Sequence, residues 1–472
     1  MDRKRLALLA AILGSFVAGL DATVVNVALP SIQDDLGGGL AGQQWISNAY
    51  LLTLGSLILV GGSLGDVFGE RRVFSAGVAG FGVASLLCAL APSLEVLVAS
   101  RALQGVFGAL LTPSALAVII AAFPPAERGG AIGSWTAWTG VAFVVGPLAG
   151  GVLVDVTSWR WIFLVNVPFV IVTLFVVAAA VEARPRGGPR PHVDVVGAGL
   201  CALGLAGPVF ALTRQPDLGW GDPTVWAPLV AGLALLAAFG AWERRSPEPM
   251  LPLGLFARRN FSVGNAQTVA MYGGLSMSLF TLVLFLQQVA GYSALESGLA
   301  TIPTTVVMFA LSRRMGALAD RFGPRLFMGG GPIVAAIGLL LYQRVGEGAP
   351  YVSEVLPALV LFSLGLSMTV APLTATVLAD ADEHNAGIAS GVNNALARMA
   401  GLLAVAALGI IASGAITLAS FHTVMAIAAA LVGLGGVLGL VGIRNPDRDV
   451  HCEECPGGAL AGAPREAAMA AR

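Results

Sequence analysis

Apolar runs of about 20 residues or more, broken by short clusters of charge, glycine and proline, recur from Leu6 to Leu440. They divide the chain into about 14 segments: 6–29, 43–63, 73–91, 94–122, 130–154, 160–181, 194–213, 224–242, 262–289, 296–315, 325–343, 355–379, 386–412 and 421–443. A helix of about 20 residues crosses the ~30 Å hydrocarbon core of a bilayer. Strands of an outer-membrane barrel would be half as long and would alternate. The pattern therefore predicts an all-α polytopic membrane protein.

Loop charge tests the number of spans. With a cytoplasmic N-terminus, 21 of the 26 basic residues fall on the cytoplasmic side. Only Arg160, Arg214 and Arg344 fall outside, and Arg101 and Arg398 lie within spans. Such a positive-inside bias fits 14 spans with both termini in the cytoplasm. The chain also repeats itself. "GSLGDVFGERRVF" (Gly62 to Phe74) matches "GALADRFGPRLF" (Gly316 to Phe327), pairing Gly62, Asp66, Gly69 and Arg71 with Gly316, Asp320, Gly323 and Arg325. Each copy joins a second span to a third, so two six-helix halves flank an extra helix pair. The expected division is 1–183 for the first bundle, 184–257 for two inserted helices with their linkers, 258–443 for the second bundle, and 444–472 for a cytoplasmic tail without a fold. Parallel halves are a transporter architecture, with the substrate path between them.

Composition narrows the reading further. Hydrophobic residues make up 56% of the chain and charged residues 11%, against about 25% charged in soluble domains; mean hydropathy is +0.83. A net charge of -1 recruits no polyanion, which argues against nucleic acid. One lysine, Lys4, against 25 arginines suits a GC-rich, bacterial genome. Basic residues precede the first apolar run as in a signal peptide, but no small-residue cleavage site follows, so an uncleaved first span is expected. Cys88 and Cys201 read as small hydrophobes. His451, Cys452 and Cys455 offer three soft ligands without an evident fourth, so no metal is expected.

Several stretches then carry a resemblance. "LDATVVNVALP", "QWISNAYLL", "GSLGDVFGERR", "ASRALQGVFGALLTPSAL", "GVAFVVGPLAGGVL" and "SWRWIFLVNVPF" resemble the helix and loop signatures of the major facilitator superfamily, in its 14-span drug:proton antiporter branch. The likeness covers nearly the whole chain to about Ile443. Ala142 stands where the antiporter pattern often has glycine. The resemblance implies a major facilitator fold and proton-coupled export of amphiphilic small molecules by alternating access. It also implies that the kinked stretch around Gly146, Pro147, Gly150 and Gly151 seals the periplasmic side against proton leak; ordinary tight packing is the other reading.

Asp21 is the acid found deep inside a span. It lies about 15 residues into its helix, roughly 22 Å at 1.5 Å per residue. Arg101 lies at a similar depth in the fourth span, so the two can pair. Desolvation and a neighbouring arginine act on a carboxylate in opposite senses; movement of the halves would change that balance and carry a proton. A static structural pair is the competing reading. Arg101, Gln104, Gly105 and Gly108 share one helix face. In the second half, Asn393, Asn394 and Arg398 stand together, with Arg398 either lining the cavity or satisfied by Asn393 and backbone carbonyls. The surplus of one intramembrane positive charge favours neutral, zwitterionic or anionic substrates. Tyr50, Trp138, Phe280, Phe285, Gln287 and Gln288 are candidates for the substrate cavity, although packing or lipid contact also suits each aromatic. Trp45 and Trp159 read as interfacial anchors, and "MLPLGLFARRNF" as a short amphipathic surface helix. Gly62, Asp66, Gly69, Arg71 and Arg72, with Asp320 and Arg325, read as a cytoplasmic latch between helices that separate in one state.

The leading expectation is a monomeric secondary exporter in the inner membrane, with protons and small amphiphiles as its partners and no cofactor beyond the proton gradient. No phosphate-binding loop with a lysine is present. The alternatives are an importer or uniporter of the same fold, with Asp21–Arg101 purely structural, and less favourably a membrane enzyme or receptor. The first of these lacks a clustered catalytic set and the second a sizeable soluble domain.

Overall fold

The computed structural model describes residues 3–180, 194–247, 249, 251, 253–379, 386–412 and 414–445. The linker arginines Arg184, Arg186 and Arg190, the side chain of Asp66, and the set His451, Cys452 and Cys455 lie outside the described residues. All regular structure among the described residues is helical. The first seven helices are α1 (Arg3–Leu36), α2 (Gly39–Phe68), α3 (Glu70–Ala89), α4 (Leu94–Ala122), α5 (Pro125–Val156), α6 (Trp161–Leu164) and α7 (Asn166–Ala180). Two more, α8 (Val195–Leu218) and α9 (Pro223–Glu243), precede α10 (Arg259–Gln288), α11 (Ala294–Phe322), α12 (Pro324–Leu341), α13 (Leu356–Ala379), α14 (Ala386–Ala412) and α15 (Leu418–Gly442). By length and composition, 13 helical segments among the described residues can cross a membrane, α6 and α7 together forming one of them. The 30-residue α2, packed along α4, completes a set of fourteen.

Helix is the form these sequences must take in lipid, because each backbone N–H finds its acceptor within the same segment. Ends are fixed by polar caps at the bundle faces: Ser93 accepts from Val96 N, Asp194 from Gly197 N, and Ser293 with Glu296 forms a full capping box on α11. Several helices run past the apolar run that announces them, as α1, α2 and α11 do. The extra turns cross the headgroup region, where polar side chains are welcome but helical hydrogen bonding continues. The sequence around "MLPLGLFARRNF" differs from expectation. Only Leu253–Ala257 forms a turn of 3-10 helix there, and Leu255 is buried beneath it against Phe261 and Met328. That apolar anchor leads inward, and among the described residues there no helix longer than this turn precedes α10.

Helices α1 to α7 pack among themselves, as do α10 to α15. The internal repeat is structural as well as sequential. Gly69 (φ 90°, ψ 138°) alone separates α2 from α3, and Gly323 (φ 92°, ψ 145°) alone separates α11 from α12. That left-handed backbone strains any residue with a Cβ. Each following arginine then ties its loop to the end of the last helix in its own half. Arg71 Nη2 donates to Ala178 O on α7 at 3.4 Å, and Arg325 Nε donates to Leu440 O on α15 at 2.6 Å. The electronegative C-terminal end of a helix favours such a cation. Arg72 and Asp320 are exposed. The described contacts of Arg71 and Arg325 therefore brace each half, where the sequence suggests a latch between helices that part.

The α8–α9 hairpin belongs to neither set. Helix α8 packs on both α2 and α14, with Trp45 against Phe210 at 6.0 Å and Val209 among Leu402 and Ala406, while α9 packs chiefly on α8. Trp45 thus pins α8, where an interfacial anchor was expected. Trp159 is likewise buried: its Nε1 donates to Asp35 at 3.0 Å, and Arg160, itself 2.6 Å from Asp35, lies over its ring.

Candidate functional site

The face of the bundle bearing the start of α1 and the end of α15 is termed here the terminal face, and the opposite one the far face. Between them, six elements of the first half converge on Asp21. Arg101 Nη1 lies 2.6 Å from Asp21 Oδ2 and 2.6 Å from Gln104 Oε1. Gln104 Nε2 donates to Asp21 Oδ1 at 2.9 Å and to Ser85 Oγ at 2.9 Å. Asn166 Nδ2, at the start of α7, donates to Asp21 Oδ1 at 3.1 Å. Arg101 Nε donates to the Ile46 carbonyl at 3.2 Å, and its guanidinium lies 4.3 Å above the Tyr50 ring and 5.8 Å from that of Phe163. Cys88 Sγ reaches Gln104 Oε1 at 3.6 Å. Asp21, Gln104 and Asn166 are wholly buried, and Arg101 is 2% exposed.

Hydrogen-bond accounting explains why this charge is tolerated. A buried ion pair offsets its desolvation only when the remaining lone pairs and protons are also met. Here each Asp21 oxygen has a donor, and Arg101 has a carboxylate, an amide oxygen, a carbonyl and an aromatic face. All three side chains that hydrogen-bond to Asp21 are donors, and together they hold its carboxylate in one geometry.

Asn166 and Ser85 were not singled out from the sequence. Asn166 carries a signal: it is the amide inside the apolar run from Trp161 to Val177. Ser85 carries none, since serine is common within membrane helices. Cys88 was assigned to apolar packing, yet its thiol touches the network.

Helix α5, which carries Pro147 inside it, joins this site to the second half. A Cβ on Gly146 would collide with Thr23 Oγ1, and one on Gly150 would lie 2.6 Å from Val24 Cγ2, so this edge lies against α1 beside Asp21. On the adjacent edge a Cβ on Gly151 would lie 2.8 Å from Leu295 N, and Gly298 of α11 meets the Pro147 carbonyl. Further towards the terminal face, Gly140 and Gly133 continue the line of Pro147 at seven-residue spacing, yet a Cβ on either meets nothing within 4 Å. Helices α5 and α11 therefore touch near the far face and part towards the terminal face.

Cross-half hydrogen bonds follow the same gradient. Gln287 Nε2 donates to Val27 O at 3.0 Å, and Gln44 Nε2 to Val405 O at 2.6 Å. Asp155 at the end of α5 accepts from Ala294 N at 3.2 Å and Leu295 N at 2.9 Å, capping the first turn of α11. Gln287 is thus a clasp between halves. Losing a cap costs ~0.5–2 kcal/mol, or about 2- to 30-fold in a population. Asp155→Ala is accordingly expected to deplete the state closed at the far face by that factor. Spin labels at Thr157 and Tyr292 read this as a longer distance; an unchanged distribution contradicts it.

Of the remaining candidates, Tyr50 joins the Asp21 network. Phe280 is packed in the core of the second half, and Phe285 stacks on Phe421 at 4.0 Å. Trp138 is 54% exposed and shares a helical face with Val145, Val152 and Val156, away from the α1 and α11 contacts. Asn393 Nδ2 donates to Asn265 Oδ1 at 3.0 Å and Thr268 Oγ1 at 2.7 Å, clamping α14 to α10. Asn394 is exposed, and Gln288 is exposed beyond the α10 clasp. Arg398 stands at the junction of α14 with α2, near enough to Tyr50 and Tyr272 to act on both electrostatically.

Comparison with known proteins agrees with this architecture. A family model described as Major Facilitator Superfamily matches residues 11–406. The puromycin resistance protein pur8 of Streptomyces alboniger is 39% identical over 84% of this chain and 79% of its own. The tetracenomycin C resistance and export protein of Streptomyces glaucescens is 35% identical over 86% of this chain and 75% of its own. Among solved structures, a peptide transporter in complex with sulfate superposes with a TM-score of 0.70 at 15% identity, covering 93% of this chain and 97% of its own. An inward open xylose transporter of E. coli does so with a TM-score of 0.64 at 13% identity, covering 94% and 97%. At these identities the superpositions speak to fold alone.

Proposed function

The chain belongs to the Major Facilitator Superfamily, and from that premise we propose that it is a proton-coupled antiporter exporting drug-like amphiphiles across the inner membrane by alternating access. Asp21 carries the proton and Arg101 is its counter-charge. The terminal face is cytoplasmic, which the concentration of arginine on that side supports. One chain supplies both halves and acts as a monomer. The domain division is 1–183, 184–257 and 258–443, followed by the tail.

The observation that carries the proposal is the placement of the buried Asp21 network against the same Gly146–Gly151 stretch of α5 that abuts α11. A change in the α5–α11 contact bears directly on the helix holding the acid, so opening the far face and rearranging the donors around Asp21 are mechanically one event. With the far face clasped and α5 and α11 splayed at the terminal face, substrate is taken from the cytoplasmic side in this state. A relative named for puromycin resistance supports the drug-like class, and one named for tetracenomycin C resistance and export supports both the class and the direction.

Inverted membrane vesicles with an acid interior test the reading. Labelled tetracenomycin C is expected to accumulate, above the level in vesicles lacking the protein, only while the pH gradient stands and to leak out when nigericin collapses it. Accumulation that ignores nigericin rejects proton coupling. Tetracenomycin C flux that stops at equilibration in the presence of the gradient favours the uniporter alternative.

A further inference from the structure

Arg398 is the 13th of the 27 residues of α14, and Gly55, facing it, is the 17th of the 30 residues of α2. A Cβ on Gly55 would lie 3.5 Å from Arg398 Cβ, so the two helices touch at mid-span with the arginine between the halves. Its Nε is buried without a hydrogen-bond partner, and no ion pair among the described residues includes it. The neighbouring amides are committed elsewhere: Asn393 donates to Asn265 and Thr268, and Asn394 donates to Ser390 O. Asp21 is engaged by Arg101, Gln104 and Asn166. The other buried carboxylates, Asp194 and Glu243, lie at the ends of α8 and α9.

A second, independent observation lies across the interface. Asn48 is wholly buried, and neither its Nδ2 nor its Oδ1 has a partner. It stands four residues after Gln44, which donates to Val405 O of α14, and seven before Gly55, which meets Arg398. That spacing puts Asn48 on the α14-facing side of α2, about 10 Å along the helix from Gly55. An unmatched guanidinium and an unmatched amide thus face the same α2–α14 interface. Unpaired charge inside a membrane is costly and marks a ligand path, and a guanidinium fork matches a carboxylate in geometry.

We propose that Arg398 and Asn48 form the polar seat of the substrate cavity and receive a carboxylate or ionised phenol of an acidic amphiphile. The ligand completes a site that the protein leaves one negative charge short. A cationic amphiphile finds no unpaired carboxylate there among the described residues and brings a second positive charge beside Arg398. The inference rests on the export reading in taking the space between the halves as the substrate's place.

Two xanthene dyes of similar size separate the charge effect, fluorescein as an anion and rhodamine 123 as a cation. Binding is measured by fluorescence anisotropy on the purified full chain in detergent, at a pH where fluorescein is ionised and with no gradient present. Wild type is expected to bind fluorescein at least about tenfold more tightly. Arg398→Gln is expected to lose that factor for fluorescein while rhodamine 123 stays level or improves, and Arg398→Lys to keep most of the preference. Asn48→Asp supplies the missing charge from the protein and is expected to expel fluorescein without removing the arginine, which keeps the test alive if Arg398→Gln does not fold. Equal binding of the two dyes by wild type overturns the proposal, as does equal weakening of both in Arg398→Gln or unchanged fluorescein affinity in Asn48→Asp. Such a failure leaves gradient-driven export standing, and failure of the nigericin experiment leaves the binding result standing.

Discussion

Asp21→Asn is expected to cut uptake driven by a pH gradient at least about a hundredfold, while leaving substrate exchange without a gradient much less affected. The loss of driven uptake is large because the variant has no ionisable group at the position that carries the proton; breaking the buried pair costs ~3–5 kcal/mol of stability besides. The geometry says why asparagine is informative. Its Oδ1 still accepts from Gln104 Nε2 and Asn166 Nδ2, so the packing of α1, α4 and α7 is kept. Its Nδ2 takes the place of the oxygen that Arg101 Nη1 meets at 2.6 Å, so donor faces donor. Arg101 then relies on Gln104 Oε1, the Ile46 carbonyl and the Tyr50 ring. The variant can no longer gain or lose a proton at this position. Purified Asp21→Asn is also expected to melt earlier than wild type, and Asp21→Glu to restore part of both properties. Wild-type gradient-driven uptake in Asp21→Asn removes this residue from the coupling path. Loss of exchange and driven uptake together, in a protein that remains folded, makes the pair structural.

The second large effect is expected at Gly151. A Cβ there would run into Leu295 N, Leu295 Cα and the Ala294 carbonyl, all of them backbone at the capped start of α11. Side chains yield by changing rotamer; a capped helix start does not. Forcing extra methyl groups into a packed contact costs ~1–3 kcal/mol, and here the molecule can relieve it by parting α5 from α11 at the far face. Gly151→Val is therefore expected to trap the open far face and to lower transport about tenfold or more. A cysteine at Val27, whose carbonyl accepts from Gln287, is expected to react faster with a membrane-impermeant maleimide in this background than in wild type. Gly140→Ala, on the same line of α5 where nothing lies within 4 Å, is the control and is expected to transport normally. Equal maleimide rates in the two backgrounds contradict the wedge.

The helices were legible in the sequence because bilayer thickness fixes their length and lipid forbids any alternative. The span 94–122 coincides with α4. Ends that leave the apolar run, as in α2 and α11, were read short because the signal used was apolarity rather than hydrogen bonding. Asp21 and Arg101 were legible as a pair because similar depth follows from counting residues along two helices. Ser85 and Asn166 were not, because their part depends on the rotation of α3 and α7 about their axes, which depth does not give. Rotation also explains the aromatic candidates. Composition cannot say which side of α5 bears Trp138, whereas the contacts of Gly146 and Pro147 place it on the outer wall. Trp45 and Trp159 stood at the right depth for interfacial anchors, but neighbours that the sequence does not reveal, Phe210 and Asp35, claim their rings.

A bundle of two matched halves has two lengthwise seams, here α2 against α14 and α5 against α11. Helix α8 lies over the first, touching both of its walls; both walls of the second are touched by α1, about half of whose residues are buried inside the bundle. The hairpin thereby makes a nearly symmetric machine one-sided towards its solvent: a hydrophobic compound dissolved in the bilayer meets one lateral seam covered by an inserted helix and the other, along the glycine-lined edge of α5, left to the helices of the two halves.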